Sequence, residues 1–146
     1  MEKYTNNKEY IGIWLDHSEA HFIRPYIDQG IINTIHSSLE SRQRIPGEAA
    51  DGTRVGKYHS TNNEYTKHQL QQNQIHAFYK QIAEALLSYT DIFIFGPTTA
   101  REELENYLLG EMKKKFENKK IRLEASDYMT KNQMVERVID FFKAHG

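Results

Sequence analysis

The stretch Asp91–Glu102, DIFIFGPTTARE, constrains the fold of this chain more than any other. Ile92, Phe93, Ile94 and Phe95 form an unbroken apolar run, the pattern of a strand buried on both faces of a sheet. Gly96 and Pro97 end it. Thr98 or Thr99 can then cap a helix, and Thr99 with Glu102 has the capping-box spacing, in which each side chain satisfies an orphan backbone N–H. A buried strand that runs straight into a helix belongs to the α/β class. With 146 residues, the chain is expected to form one domain over 1–146, with its own core and no need of disulfides or metals.

Upstream of this stretch, residues Met1 to Glu9 read as a frayed lead-in. Tyr10–Leu15 puts Ile11, Ile13 and Leu15 on one face and Tyr10 and Trp14 on the other, which suits a central strand. Gly12 marks a point of close approach by a neighbour. Asp16, His17 and Ser18 supply turn chemistry, Ala20–Tyr26 returns antiparallel, and Ile31–Ser37 reads as an edge strand. From Ser38 to Thr66 the periodicity disappears among Pro46, Gly47, Gly52, Gly56 and many Ser, Thr and Asn residues, which predicts a long mobile loop. An apolar stripe of Leu70, Ile75, Phe78, Ile82, Leu86 and Tyr89 then predicts a helix over 67–89. After the Asp91 strand follow a helix over 100–116 with Leu104, Tyr107, Leu108 and Met112 inward, a half-exposed strand Ile121–Ala125, and a last helix opened by Thr130 and Gln133. Right-handed crossovers and paired hairpins leave few arrangements of β-β-β-α-β-α-β-α. The simplest is the ribonuclease H-like layout, a mixed five-stranded sheet of order 3-2-1-4-5 with three helices.

Two stretches carry a family resemblance: Ile11–Ile23, IGIWLDHSEAHFI, and Asp91–Glu102. With them the chain resembles, over almost its whole length, the middle domain of the eukaryotic and archaeal class-1 peptide-chain release factor and of Pelota. It also resembles a bacterial one-domain family labelled translational machinery protein. The resemblance implies the same sheet and, in the release factor, a loop after the third strand that carries a Gly-Gly-Gln tripeptide for ester hydrolysis. Here Gly47, Gly52 and Gly56 are isolated and Gln43 has no glycine pair before it, so hydrolysis does not carry over. What remains implied is a non-enzymatic protein associated with the ribosome or with structured RNA.

Composition narrows the setting. Zero cysteines exclude disulfides, cysteine metal sites and thiol catalysis, and fit the reducing cytoplasm. No apolar run approaches the roughly 20 residues of a membrane helix, and the polar start has no export signal, so no membrane association is expected. A net charge of −1 means that any RNA contact must come from a local patch. The 38–66 loop offers Arg42, Arg44, Arg54, Lys57 and His59, and a second patch gathers Lys113, Lys114, Lys115, Lys119, Lys120 and Arg122. Lysines at a helix end also complement the helix dipole without binding anything.

Other candidates have equally plain structural readings. Asp16 sits where ribonuclease H-like nucleases hold a metal ligand, but such a site needs further carboxylates, and Asp also closes turns. Gly96, Thr98 and Thr99 flank a helix start at the switch point of the sheet, where a phosphate or carboxylate could bind, or they simply cap the helix. The seven histidines show no ligand pattern, and no cofactor or metal is expected. Three functions stay open: RNA or ribosome binding through the 38–66 loop, a metal-dependent nuclease or phosphoesterase using Asp16, and an interaction module pairing through the edge strand.

Overall fold

The computed structural model describes residues 8–26, 28–37 and 46–145, with the side chains of 46–65 outside that description. Strands β1 (Tyr10–Leu15), β2 (Glu19–Arg24) and β3 (Gly30–His36) form an antiparallel meander. β4 (Asp91–Gly96) lies parallel to β1 on its other side, and β5 (Lys120–Ala125) lies parallel to β4. The sheet order is β3-β2-β1-β4-β5, so the ribonuclease H-like arrangement expected from the sequence is the observed one. Every residue of β4 is buried, as its unbroken apolar run requires of a central parallel strand.

Alternation along β1 divides the core. Ile11, Ile13 and Leu15 face a layer built from the end of helix α1 (Pro46–Ala85), helix α2 (Ala100–Gly110) and the short helix α3 (Lys113–Phe116). Trp14, Phe93 and Phe95 face helix α4 (Lys131–His145), where Phe93 stacks on Phe141 with ring centroids 3.8 Å apart. A Cβ built on Gly12 would come within 2.4 Å of Val138 Cγ2, so the glycine lets α4 lie directly on β1. Thr130 and Gln133 form the expected capping box at the start of α4: Thr130 N–H donates to Gln133 Oε1 at 2.9 Å, and Gln133 N–H to Thr130 Oγ1 at 3.1 Å.

Three expectations are corrected. First, the segment expected as a loop over 38–66 is helical from Pro46 onward, in a helix of 40 residues, while 38–45 lies outside the described residues. Apolar periodicity reports burial and not helicity, and a helix that is not packed along its length carries no stripe. Pro46 occupies the first helical position, where its missing N–H costs nothing, and isolated glycines cost only about 1 kcal/mol each. Among the residues with described side chains, α1 meets the core from half-buried Ile75 and is fully buried from Phe78, and Leu70, expected on the inward face, is 52% exposed. Second, the helix expected over 100–116 is two helices, which makes four among the described residues; Met112 leaves the helical region at φ −123°, ψ 36°, just after Gly110, a poor helix former. Third, Thr99 makes no capping hydrogen bond and Glu102 forms no box with it. β3 is an edge strand as expected, and its Thr34 N–H is satisfied locally by Asn33 Oδ1 at 2.9 Å.

Candidate functional site

β1 and β4 diverge at their carboxyl ends, the position at which open α/β sheets hold ligands. Asp16 follows β1 there and is nearly buried. Its Oδ1 accepts the N–H groups of Ser18 at 2.8 Å and Glu19 at 2.9 Å, which closes the β1–β2 turn. The structure thus puts Asp16 to work on the backbone of its own turn. No group of three His, Asp or Glu side chains among the described residues is arranged to hold a metal ion.

The Gly96–Thr99 turn is likewise committed. A Cβ on Gly96 would lie 2.1 Å from the Leu15 carbonyl oxygen, so only glycine lets the end of β4 pass this close to β1. Thr98 Oγ1 accepts the Ala100 N–H at 3.1 Å, and Arg101 Nη1 donates to the carbonyls of Gly96 at 3.1 Å and Thr98 at 2.5 Å. Thr99 Oγ1 donates to Glu103 Oε2 at 3.0 Å. A side-chain carboxylate of α2 itself thus occupies the anion-favouring end of that helix.

Glu103 is the residue that sequence reasoning missed. Besides Thr99, it accepts the Tyr79 hydroxyl at 2.6 Å on Oε1 and pairs with His17 Nε2 at 3.2 Å. These partners come from α1 and the β1–β2 turn, 24 and 86 residues away in sequence, so no local pattern signals them. Burial pulls the Glu103 carboxyl upward, but the hydrogen bonds from Tyr79 and Thr99 and the charge of His17 outweigh it and hold the group below its ordinary pKa. Tyr79 moves the other way: burial, then the hydrogen bond and charge of Glu103, push its hydroxyl far above the usual tyrosine value. Next to an ionised carboxylate, His17 Nε2 carries the proton, and Nδ1 makes no hydrogen bond to any described residue. The cluster can bind a charge or pass a proton, and it also ties three elements together.

The basic candidates are separated by the fold. Lys113, Lys114 and Lys115 on α3, and Lys120 and Arg122 on β5, are exposed and form no ion pair with a described residue. Lys119 does not join them. Its Nζ donates to the carbonyls of Leu87 at 2.8 Å and Tyr89 at 2.6 Å, closing the exit from α1, and burial lowers its pKa. Arg54, Lys57 and His59 fall in α1 and not in a loop, whereas Arg42 and Arg44 lie outside the described residues. The histidines have separate partners: His17 meets Glu103, while His21 is buried between Thr34 Oγ1 at 2.9 Å and Glu19 Oε2 at 3.2 Å. His68 lies against Gln72 Nε2, and His76 sets its ring against Tyr107.

No protein-family description matches the chain, and no curated protein matches it in sequence. Among solved structures it is similar to the Pelota protein of Thermoplasma acidophilum, with 21% identity and a TM-score of 0.47, over 95% of this chain and 35% of that one. It is also similar to Archaeoglobus fulgidus Pelota, with 11% identity and a TM-score of 0.46, over 99% of this chain and 38% of that one. The chain thus spans little more than a third of the length of these two proteins.

Proposed function

We propose that this chain is a non-catalytic module that binds structured RNA, in the setting of the ribosome and the cytoplasm, by holding phosphates against the exposed lysines of α3. Lys120 and Arg122 alternate with Ile121 and Leu123, which pack on the α3 side, and so lie on the other face of the sheet. The observation that carries this reading is the run Lys113, Lys114 and Lys115, exposed on α3 without an ion pair to a described residue, in a chain whose net charge is only −1. Such a patch raises the local positive potential where global charge supplies none. Lys119 serves the fold instead and is left out of the contact. The ribosomal setting follows from the sequence resemblance of Ile11–Ile23 and Asp91–Glu102. Helix α1, with Arg54, Lys57 and His59, is the second contact element.

Co-sedimentation with ribosomes at low and moderate salt tests the reading. The intact chain is expected to pellet with ribosomes at low salt, and a K113A/K114A/K115A variant to remain in the supernatant. Failure of the intact chain to pellet in both conditions, or equal pelleting of the variant, removes the proposal.

A further inference from the structure

Where α1 crosses α2, a groove of about 320 Å³ opens between Gln72, His76 and Tyr79 on one side and Glu103, Tyr107 and Glu111 on the other. No lysine or arginine among the described residues lines it. Its wall is aromatic: His76 and Tyr107 meet edge to face, with ring centroids 5.0 Å apart at 90°. Its two ends are anionic. Glu103 is held in place as a carboxylate by Tyr79, Thr99 and His17, and exposed Glu111 forms no ion pair with a described residue. The volume lies at the small end of ligand pockets, enough for a single planar or tetrahedral cationic group on a short alkyl stem. Aromatic faces attract cations through their quadrupole, and flanking carboxylates add charge and hydrogen-bond acceptors.

We propose that this groove binds an organic cation, a guanidinium or alkylammonium group, between the Tyr107 ring and the carboxylates of Glu103 and Glu111. The charge of Glu111, together with that of Glu84, also pushes the Tyr107 hydroxyl upward after burial, in keeping with a negative potential at that end. The group comes either from a small amine or from an arginine side chain of a polypeptide, since the recognised chemistry is the same. This site is independent of the RNA contact proposed for the lysines of α3.

Amide and His76 ring NMR shifts of the intact protein, at about pH 8 where imidazole is neutral, test the inference with three probes. These are agmatine, the amide of Gly-Arg-Gly, and the uncharged isostere N-butylurea. Saturable shifts at Gln72, His76, Tyr107 and Glu111 are expected with at least one cationic probe and not with the urea; which probe binds names the source. Glu111→Gln, at an exposed position, is expected to weaken binding by about fivefold, and Tyr107→Leu to weaken it further, while K113A/K114A/K115A leaves it unchanged. Absence of saturation with both cations, equal shifts from the urea, or unchanged affinity in Glu111→Gln overturns the proposal.

Discussion

At the scale of single residues, two glycines and one carboxylate decide how the layers meet. The Gly12 and Gly96 contacts differ in what a methyl group would strike. At Gly12 it meets the Val138 side chain, whose rotamer can give, whereas at Gly96 it meets the Leu15 backbone carbonyl, which cannot. Gly12→Ala is therefore expected to cost about 1–3 kcal/mol in urea unfolding, with part of the loss recovered in the Gly12→Ala, Val138→Ala double variant. Gly96→Ala should cost more and have no such rescue. Glu103 gives a pH prediction. Its folded pKa is below the ordinary 4.5, so its contribution to stability is complete above that value and is lost as pH falls through the lower folded one. Tyr79→Phe removes one donor to the carboxylate, so the Glu103 side-chain carbon should titrate at higher pH than in the unaltered protein. An unchanged titration would show that the hydroxyl does not hold the charge.

At the scale of elements, helix caps separate sequence patterns that work from those that only look right. Thr130 and Gln133 bond reciprocally, so Thr130→Ala should destabilise the protein by about 1 kcal/mol. Thr99, with the same spacing to Glu102, makes no cap bond, and Thr99→Ala should act only through the lost donation to Glu103. Both strand order and hairpins could be read from the chain because the apolar runs of β1 and β4 and the turn at Asp16 are local signals. Helix α1 was not legible over 46–66, because the sequence there carries no apolar stripe, and that stripe was the signal by which the other helices were read. The Glu103 cluster was not legible either, since its partners meet only after the β1–β2 turn and α1 have been brought against α2. Lys119 looked like one more member of a basic run, and only its distances to Leu87 and Tyr89 show that it closes a loop. Lys119→Met should accordingly lower stability by about 1–2 kcal/mol through two unmet carbonyls, while leaving RNA affinity nearly unchanged.

At the scale of the whole molecule, the sheet separates two chemical surfaces. At the carboxyl ends of β1 and β4, Asp16 and Thr98 accept backbone N–H groups, Arg101 donates to the carbonyls of Gly96 and Thr98, and Glu103 accepts the hydroxyls of Thr99 and Tyr79. The exposed lysines of α3 lie apart from these ends, in the segment that leads into the amino end of β5. The salt dependence of binding to a structured RNA tests this account most directly, because each phosphate neutralised contributes a fixed share of the slope. For the unaltered chain, log affinity should fall linearly with log salt, and K113A/K114A/K115A should bind more weakly at every salt concentration with a slope smaller by about 2–3. The same slope and affinity in both proteins would contradict the assignment of RNA binding to the α3 lysines.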